Sequence, residues 1–436
     1  MIILRQILIS ILQFEARLVL EKYKPKVVSI AGSVGKTSTK DALYAVLSKF
    51  YYVRKSSKGY GNELGLPLAI LGCEKSGGNI FVWIRNIWRG IELMLFKEDY
   101  PDWLILEISV RKPKSMQKIT TWLKSDIVII GRFGDVPVHI EFFDTLDELI
   151  LEKSKILRTL NKNGVIILNA DDNHTLSLKN KAKNKVVTFG FNKEAVLTAS
   201  NMQILYDNIN GNPPAGGSAG GPVGIMFRVN YSGNSVPITI LGALGVGHVY
   251  AALASLAVAA EIGLNVIEST QALKNYDLPP GRMRLLDGVK ETLIIDDSYN
   301  SSPIACENAI NTLEEIKISG RKIAVLGDML ELGRHTDEEH KKIGKLVAKV
   351  ADVLVTVGIR APNFALGAMN FGMDEKNIYQ FEDSREAGKF VEQMIKKGDL
   401  VLVKGSQAVR MEKVVEEIMA HPEKSQELLV RQAQNV

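Results

Sequence analysis

An apolar, β-branched run, Val27-Val28-Ser29-Ile30, ends in a small-residue turn, then Gly35-Lys36-Thr37, then a helix-like segment from Asp41 to Phe50. Residues of these types in this order can hold the phosphates of a nucleotide. Gly32 and Gly35 let backbone N–H groups approach phosphate oxygens, with Ser33 and Val34 between them. Lys36 would bring a point charge to the β/γ-phosphates, and the Thr37 hydroxyl an oxygen ligand for Mg²⁺. Ser38 lies in the helix start that follows, which adds its dipole. Ile30 stands where the longer G-x-x-x-x-G-K-[ST] pattern has its first glycine, so the loop is a shorter G-x-x-G-K-T-S. A chance Gly-Lys-Thr on a surface turn is the competing reading; strand, turn and helix signals agreeing in order speak against it.

Such a loop needs a sheet behind it. Strand-like runs at Val27–Ile30, Trp103–Ile108, Ile127–Ile130 and Val165–Leu168 alternate with helical patterns at Thr39–Phe50 and Leu146–Leu160. That alternation predicts an α/β fold with a mainly parallel sheet. Short β-rich runs (Val186–Phe189, Ile225–Val229, Val236–Ile240) flank a Gly/Pro-rich insert over 210–222, read as a flexible loop between two strands. An Ala-rich helix is expected over His248–Ile262, and Pro279-Pro280-Gly281 breaks the chain. Beyond it strands and helices alternate again, as in an open Rossmann-like α/β domain whose ligands bind at the carboxyl ends of its strands. The expected division is an N-terminal amphipathic helix over 1–26, a P-loop central domain over 27–280 and a C-terminal domain over 281–436.

Composition narrows the partners. The 436 residues carry a net charge of +5, which suits an anionic ligand but is too weak an excess to argue for nucleic acid. Cys73 and Cys306 are the only cysteines and are far apart, so neither a disulfide framework nor a zinc site is implied; a reducing, cytoplasmic setting is expected. Residues 1–20 are apolar but interrupted by Arg5, Gln6, Gln13, Glu15 and Arg17. They fall short of the ~18 uninterrupted apolar residues of a spanning helix. An amphipathic helix is expected, packed on the protein or in weak contact with a membrane surface. Phe81–Phe96 has the same character.

Further motifs point to one family. Gly61-Asn62-Glu63-Leu64-Gly65-Leu66-Pro67 follows the loop, then come Pro280-Gly281-Arg282-Met283, Asp296-Asp297-Ser298-Tyr299-Asn300 and Leu326-Gly327-Asp328-Met329-Leu330-Glu331-Leu332-Gly333, with His340 beyond and Lys404-Gly405-Ser406 near the end. Their order and spacing over roughly residues 27–420 resemble the Mur ligases, the F type among them. The resemblance implies an ATP- and Mg²⁺-dependent ligase. A carboxylate of a cell-wall peptide precursor attacks the γ-phosphate, and the amine of an amino acid or dipeptide, D-alanyl-D-alanine in the F type, displaces phosphate from the acyl phosphate. Phosphoryl transfer of this kind depends on positioning and charge neutralisation.

Matched by motif, Lys36, Glu107, His139 and Lys153 are the implied catalytic set. Thr37, Glu107, His139 and Lys153 would serve Mg²⁺, Lys153 as a carbamylated lysine. Gly32 to Ser38, Asn62, His248, Arg282 and Asp297 would hold ATP, the last on the ribose hydroxyls. Asn300, Asp328, Leu332 and Ser406 would surround the incoming amine. Each has a structural alternative: a solvated strand-end glutamate, a structural histidine, a surface lysine or arginine, a turn or cap residue.

Three departures from the family stand out. Only about 26 residues precede the first strand, so a separate UDP-sugar domain ahead of the loop is not expected, and the acyl substrate is either held differently or is not a UDP-sugar. Arg111 and Lys112 follow Glu107 where F-type enzymes have other residues, which reads as a changed, more anionic acyl substrate or as a solvated loop. Val249 replaces the asparagine of a His-Asn pair that contacts adenine, and Tyr250 is a candidate to stack in its place. Three functions remain open at this point: an F-type ligase, a Mur-like amide ligase on another acyl acceptor, and a nucleotide-dependent scaffold.

Overall fold

In the computed structural model, residues 2–57, 59–75, 79–207 and 220–430 are described. The first nine strands are β1 (Lys26–Ala31), β2 (Val53–Lys55), β3 (Trp103–Glu107), β4 (Ser125–Ile130), β5 (Leu160–Asn169), β6 (Lys185–Gly190), β7 (Leu197–Tyr206), β8 (Pro222–Tyr231) and β9 (Asn234–Leu241). They form one sheet in the order β2-β3-β1-β4-β5-β6-β7-β8-β9, parallel from β2 to β7 and antiparallel from β7 to β9. β1 lies between β3 and β4 and is buried beyond Lys26. Val28 and Ile30 enter one core, Val27 and Ala31 the other. Burial on both faces is why this run is continuously apolar rather than alternating. The Gly/Pro-rich insert lies outside the described residues up to 219, and Pro222 already belongs to β8.

β10 (Arg284–Gly288), β11 (Thr292–Asp297), β12 (Lys322–Gly327), β13 (Val353–Val357), β14 (Ile378–Phe381) and β15 (Leu400–Lys404) make a second sheet, ordered β10-β11-β15-β12-β13-β14. Only the β10–β11 pair is antiparallel. The carboxyl ends of β1 and β3 in the first sheet, and of β11, β12 and β15 in the second, carry the polar motifs, as expected of open α/β sheets. A cavity of about 1100 Å³ lies at the opposite ends of β11 and β15, around Thr292 and Leu400, and carries none of those motifs.

The first four helices are α1 (Ile2–Tyr23), α2 (Lys36–Leu47), α3 (Gly65–Leu71) and α4 (Ile80–Leu95). α1 packs on α3 and α4 through Leu12, Ala16 and Val19. Its other side leaves Ile7, Ile11 and Phe14 exposed, as α4 does Phe81, Ile84 and Trp88. No helix among the described residues is long and apolar enough to cross a membrane.

Where α1 meets α4, Glu15 is 3% exposed and its Oε2 has no hydrogen-bond partner. A Cβ at Gly90 would collide with that carboxylate. Burial pushes the Glu15 carboxyl up to about 7. Between the ordinary carboxylate range and that value, the folded chain keeps a proton that the unfolded chain releases. Stability therefore falls as pH rises through the window. Glu15→Gln is expected to raise the melting temperature, by more at about pH 8 than at about pH 5. Melting curves of both proteins at the two pH values check this; a gain independent of pH contradicts it.

Candidate active site

The phosphate-type loop joins β1 to α2. Gly32 has φ +130° and lies so close to Gly131 that a Cβ would come within 3.1 Å of its backbone nitrogen. Gly35, at φ +84°, takes the left-handed turn into α2. In this conformation the loop is closed on itself. The amides of Ser33 and Val34 donate to the Arg132 carbonyl at 2.9 and 3.3 Å. Lys36 Nζ donates to the carbonyls of Gly32 at 2.9 Å and Ser33 at 3.2 Å. Burial lowers the affinity of the Lys36 amine for its proton; Glu107 opposes this, and the Arg282 charge adds to it.

Glu107 ends β3 opposite Ile30 of β1. Its carboxylate accepts from the Thr37 hydroxyl, which lies 3.1 and 3.2 Å from the two oxygens. Its backbone amide donates to Ser56 Oγ at 3.0 Å. Lys40, one turn along α2 from Lys36, brings its ammonium to 3.8 Å from Glu107 Oε2. Hydroxyl and carboxylate side by side at the mouth of the loop are hard oxygen donors. With phosphate oxygens and water they suit Mg²⁺, which seldom takes an all-protein cage. Among the described residues no cluster of three or more His, Cys, Asp or Glu forms such a cage.

Lys153 comes from the helix Leu146–Ser154, whose start Thr145 caps by accepting from the Glu148 amide at 3.2 Å. Its Nζ is buried and donates to Ser33 Oγ at 2.9 Å. Burial, then the Lys36 charge, holds this amine well below the usual lysine range, with Glu331 opposing. His139 faces the same cavity with φ +78°. Its Nδ1 is hydrogen-bonded to Glu331 Oε2, from the loop after β12. Burial lowers the pKa of His139, and the bond from His139 lowers that of Glu331. Arg111 Nη1 lies 3.9 Å from Glu331 Oε1.

Arg282, Tyr299 and Asn300 close the cavity from the second sheet's side. The Arg282 guanidinium sits 4.0 Å from the centre of the Tyr299 ring. The cavity among these groups is only about 100 Å³, whereas pockets for drug-sized ligands span ~300–1000 Å³. A smaller one beside it is lined by Val34, Ser38, His248, Arg282 and Asp297.

Sequence profiles match over two stretches: the Mur ligase middle domain over residues 89–259 and the Mur ligase, glutamate ligase domain over 281–407, together more than half of the chain. The chain belongs to the Mur ligase family. It is therefore an ATP-dependent ligase that forms carbon–nitrogen bonds, with Mg²⁺ as the usual metal. The UDP-N-acetylmuramoyl-tripeptide–D-alanyl-D-alanine ligase of Bacillus subtilis (strain 168) is 24% identical over 95% of this chain and 80% of its own length. Its counterpart in Rickettsia prowazekii (strain Madrid E) is 26% identical over 91% and 78%. The MurF ligase of Thermotoga maritima, solved in complex with ADP, superposes with a TM-score of 0.74 at 25% identity, covering 94% of this chain and 83% of that one.

Several residues marked from the sequence of this Mur ligase stand elsewhere than expected. Asn62 Oδ1 accepts from the amides of Leu64 and Gly65 at 3.1 and 2.9 Å, so its side chain turns the chain into α3 and does not line the cavity. His248 does line the smaller cavity, but its ring bonds the Tyr276 hydroxyl at 3.1 Å and the Arg282 carbonyl at 2.8 Å. That holds the backbone of Arg282 beside the smaller cavity. Tyr250 donates to Asp171 and packs edge-on against Phe191. Leu332 is fully buried in the core, so its side chain offers no substrate contact. Asp328 accepts from the amides of Arg360 and Ala361, and Ser406 from that of Leu330. Both brace loops. His340 does likewise, accepting from the Met329 amide at 3.0 Å.

Asp297 is 6% exposed and accepts from Lys404 Nζ at 2.6 Å, its register partner on β15. Lys404 went unchosen in the sequence although a lone charge closing the apolar strand Leu400–Val403 signals a buried partner. Glu331 went unchosen too. Its motif was visible, but a left-handed glutamate carries no local signal.

Proposed function

We propose that this Mur ligase joins D-alanyl-D-alanine to the terminal carboxylate of a UDP-muramoyl-tripeptide through an acyl phosphate, in the cytoplasm, where both cysteines stay thiols. The observation that carries the reading is the constellation at one cleft: the loop lysine, the Thr37–Glu107 oxygen pair and the buried Lys153 amine. The names of the relatives supply the substrates.

In this reading residues 27–280 hold ATP and residues 281–436 bring the amine. Loop amides and Lys36 bind the β/γ-phosphates. Thr37 and Glu107 would hold Mg²⁺, whose charge offsets that of the phosphates when it is bound. Lys153, whose amine burial disposes to give up its proton, can add CO₂ at Nζ, losing a proton and becoming a carbamate, an anionic ligand in place of an amine. His139 stands beside it. Arg282 and Asp297 approach the nucleotide from the other side, and Asn300 borders the acceptor end. The substrate carboxylate bonds to the γ-phosphorus as ADP leaves, then the amine bonds to the acyl carbon as phosphate leaves. A cavity of about 100 Å³ does not admit ATP, which supports opening of the cleft for entry and closure for chemistry.

The test is incubation with ATP, Mg²⁺, UDP-muramoyl-tripeptide and D-alanyl-D-alanine. Phosphate release that needs both acceptors, with a product heavier by the dipeptide less water, is expected. No release with that pair overturns the substrate assignment. Release with a different carboxylate keeps the reaction type and moves the acyl substrate.

A further inference from the structure

Two non-glycine residues in the left-handed region meet across the cleft: His139 at φ +78° and Glu331 at φ +64°. That backbone is unfavourable for any L residue with a side chain, so surrounding contacts must hold it. The meeting is more than one side chain reaching out. Glu141 N donates to Glu331 O at 3.4 Å. Gly333 packs on Glu141 so closely that a Cβ there would lie 3.0 Å from Glu141 Cβ. One face of the loop 328–333 is thus seated on the turn 139–141. The loop is itself fixed from behind, Leu330 N on Ser406 Oγ and Met329 N on His340 Nε2.

We propose that Glu331 is a positioning residue for His139: by accepting the Nδ1 proton it fixes the ring's tautomer and leaves Nε2 as the nitrogen with the lone pair. A ring nitrogen's protonation is set by the bond its partner nitrogen makes. Carboxylates commonly orient histidines in this way from outside the reacting set. Here the carboxylate comes from the opposite side of the cleft. The histidine is therefore oriented for the reaction only while the 328–333 loop is docked. The half of the site that activates the acyl group then becomes competent when the half that brings the amine arrives. This rests on the reading of His139 as a member of the site.

The measurement is the histidine tautomer in the full chain, by long-range ¹H–¹⁵N spectra of ¹⁵N-histidine-labelled protein at fixed pH, with His139→Gln to assign the signal. Glu331→Gly removes the carboxylate yet suits the left-handed backbone; Glu331→Gln keeps an oxygen acceptor. Nδ1–H is expected in the unaltered protein and in Glu331→Gln, and the Nε2–H form in Glu331→Gly. Turnover in Glu331→Gly is expected to fall about 10–100-fold, with KM for ATP changed by less than about threefold, and Glu331→Gln should retain most of the activity. An unchanged tautomer in Glu331→Gly overturns the proposal, as does a loss of turnover that Glu331→Gln shares in full. If the ligase reading fails, the unaltered protein releases no phosphate, while the tautomer comparison still stands.

Discussion

Replacing Lys36 by alanine is expected to lower kcat/KM by ~10³-fold or more, about 4 kcal/mol of transition-state stabilisation. Its side chain is half-buried at the mouth of a loop whose other donors are backbone amides. In the closed loop its bonds go to the carbonyls of Gly32 and Ser33. Those are contacts that phosphate oxygens can replace without moving the helix. No side-chain carboxylate is left unpaired by its removal, since Glu107 keeps Thr37 and Lys40. The fold should therefore survive. Two measurements separate the effects: steady-state phosphate release for activity, and a melting curve for the fold. Activity within tenfold of the unaltered protein, with the melt unchanged, removes Lys36 from the phosphates.

How much of this was legible beforehand depended on distance along the chain. The loop was readable because its strand, glycines, lysine and helix are consecutive, and both sheets followed from apolar runs of ordinary length. β2, β7, β10 and β14 carry no strand signal of their own that was read as one. β2 has three residues, Val53-Arg54-Lys55, two of them charged, and β14 is the four-residue edge strand Ile378–Phe381. Such segments become strands because a neighbour offers hydrogen bonds, not because of their own pattern.

The same holds at the site. Glu107 could be placed from the end of its strand. The His139–Glu331 contact joins residues 192 apart, and nothing local announces the left-handed backbone of either. Asn62 and Leu332 mislead for the opposite reason. Their motifs are where the family has them, yet one side chain caps a turn and the other fills the core. A motif fixes the position of the backbone in the fold, while the direction of a side chain is settled by its neighbours. Asp297 shows the intermediate case: correctly at the carboxyl end of β11, but already bonded to Lys404.

Lys153 carries the second large effect, and it separates activity from stability. Lys153→Ala should lose ~10²–10³-fold in turnover, because a carbamate there would supply an anionic ligand that no neighbour replaces. Millimolar formate or acetate should restore part of the activity by entering the vacated space. Stability should move the other way. The amine is buried and held well below the usual lysine range. Between its folded value and that of an unfolded lysine, the unfolded chain binds a proton that the folded one does not, so stability rises with pH through that window. An uncharged side chain of similar length escapes this penalty. Lys153→Met, compared with the unaltered protein in CO₂-depleted buffer without nucleotide, should melt higher, with the difference widening as pH falls. Retained turnover in Lys153→Ala, without added carboxylate, takes Lys153 out of the reaction. A melting temperature that drops in Lys153→Met means that its bond to Ser33 outweighs the desolvation of its charge.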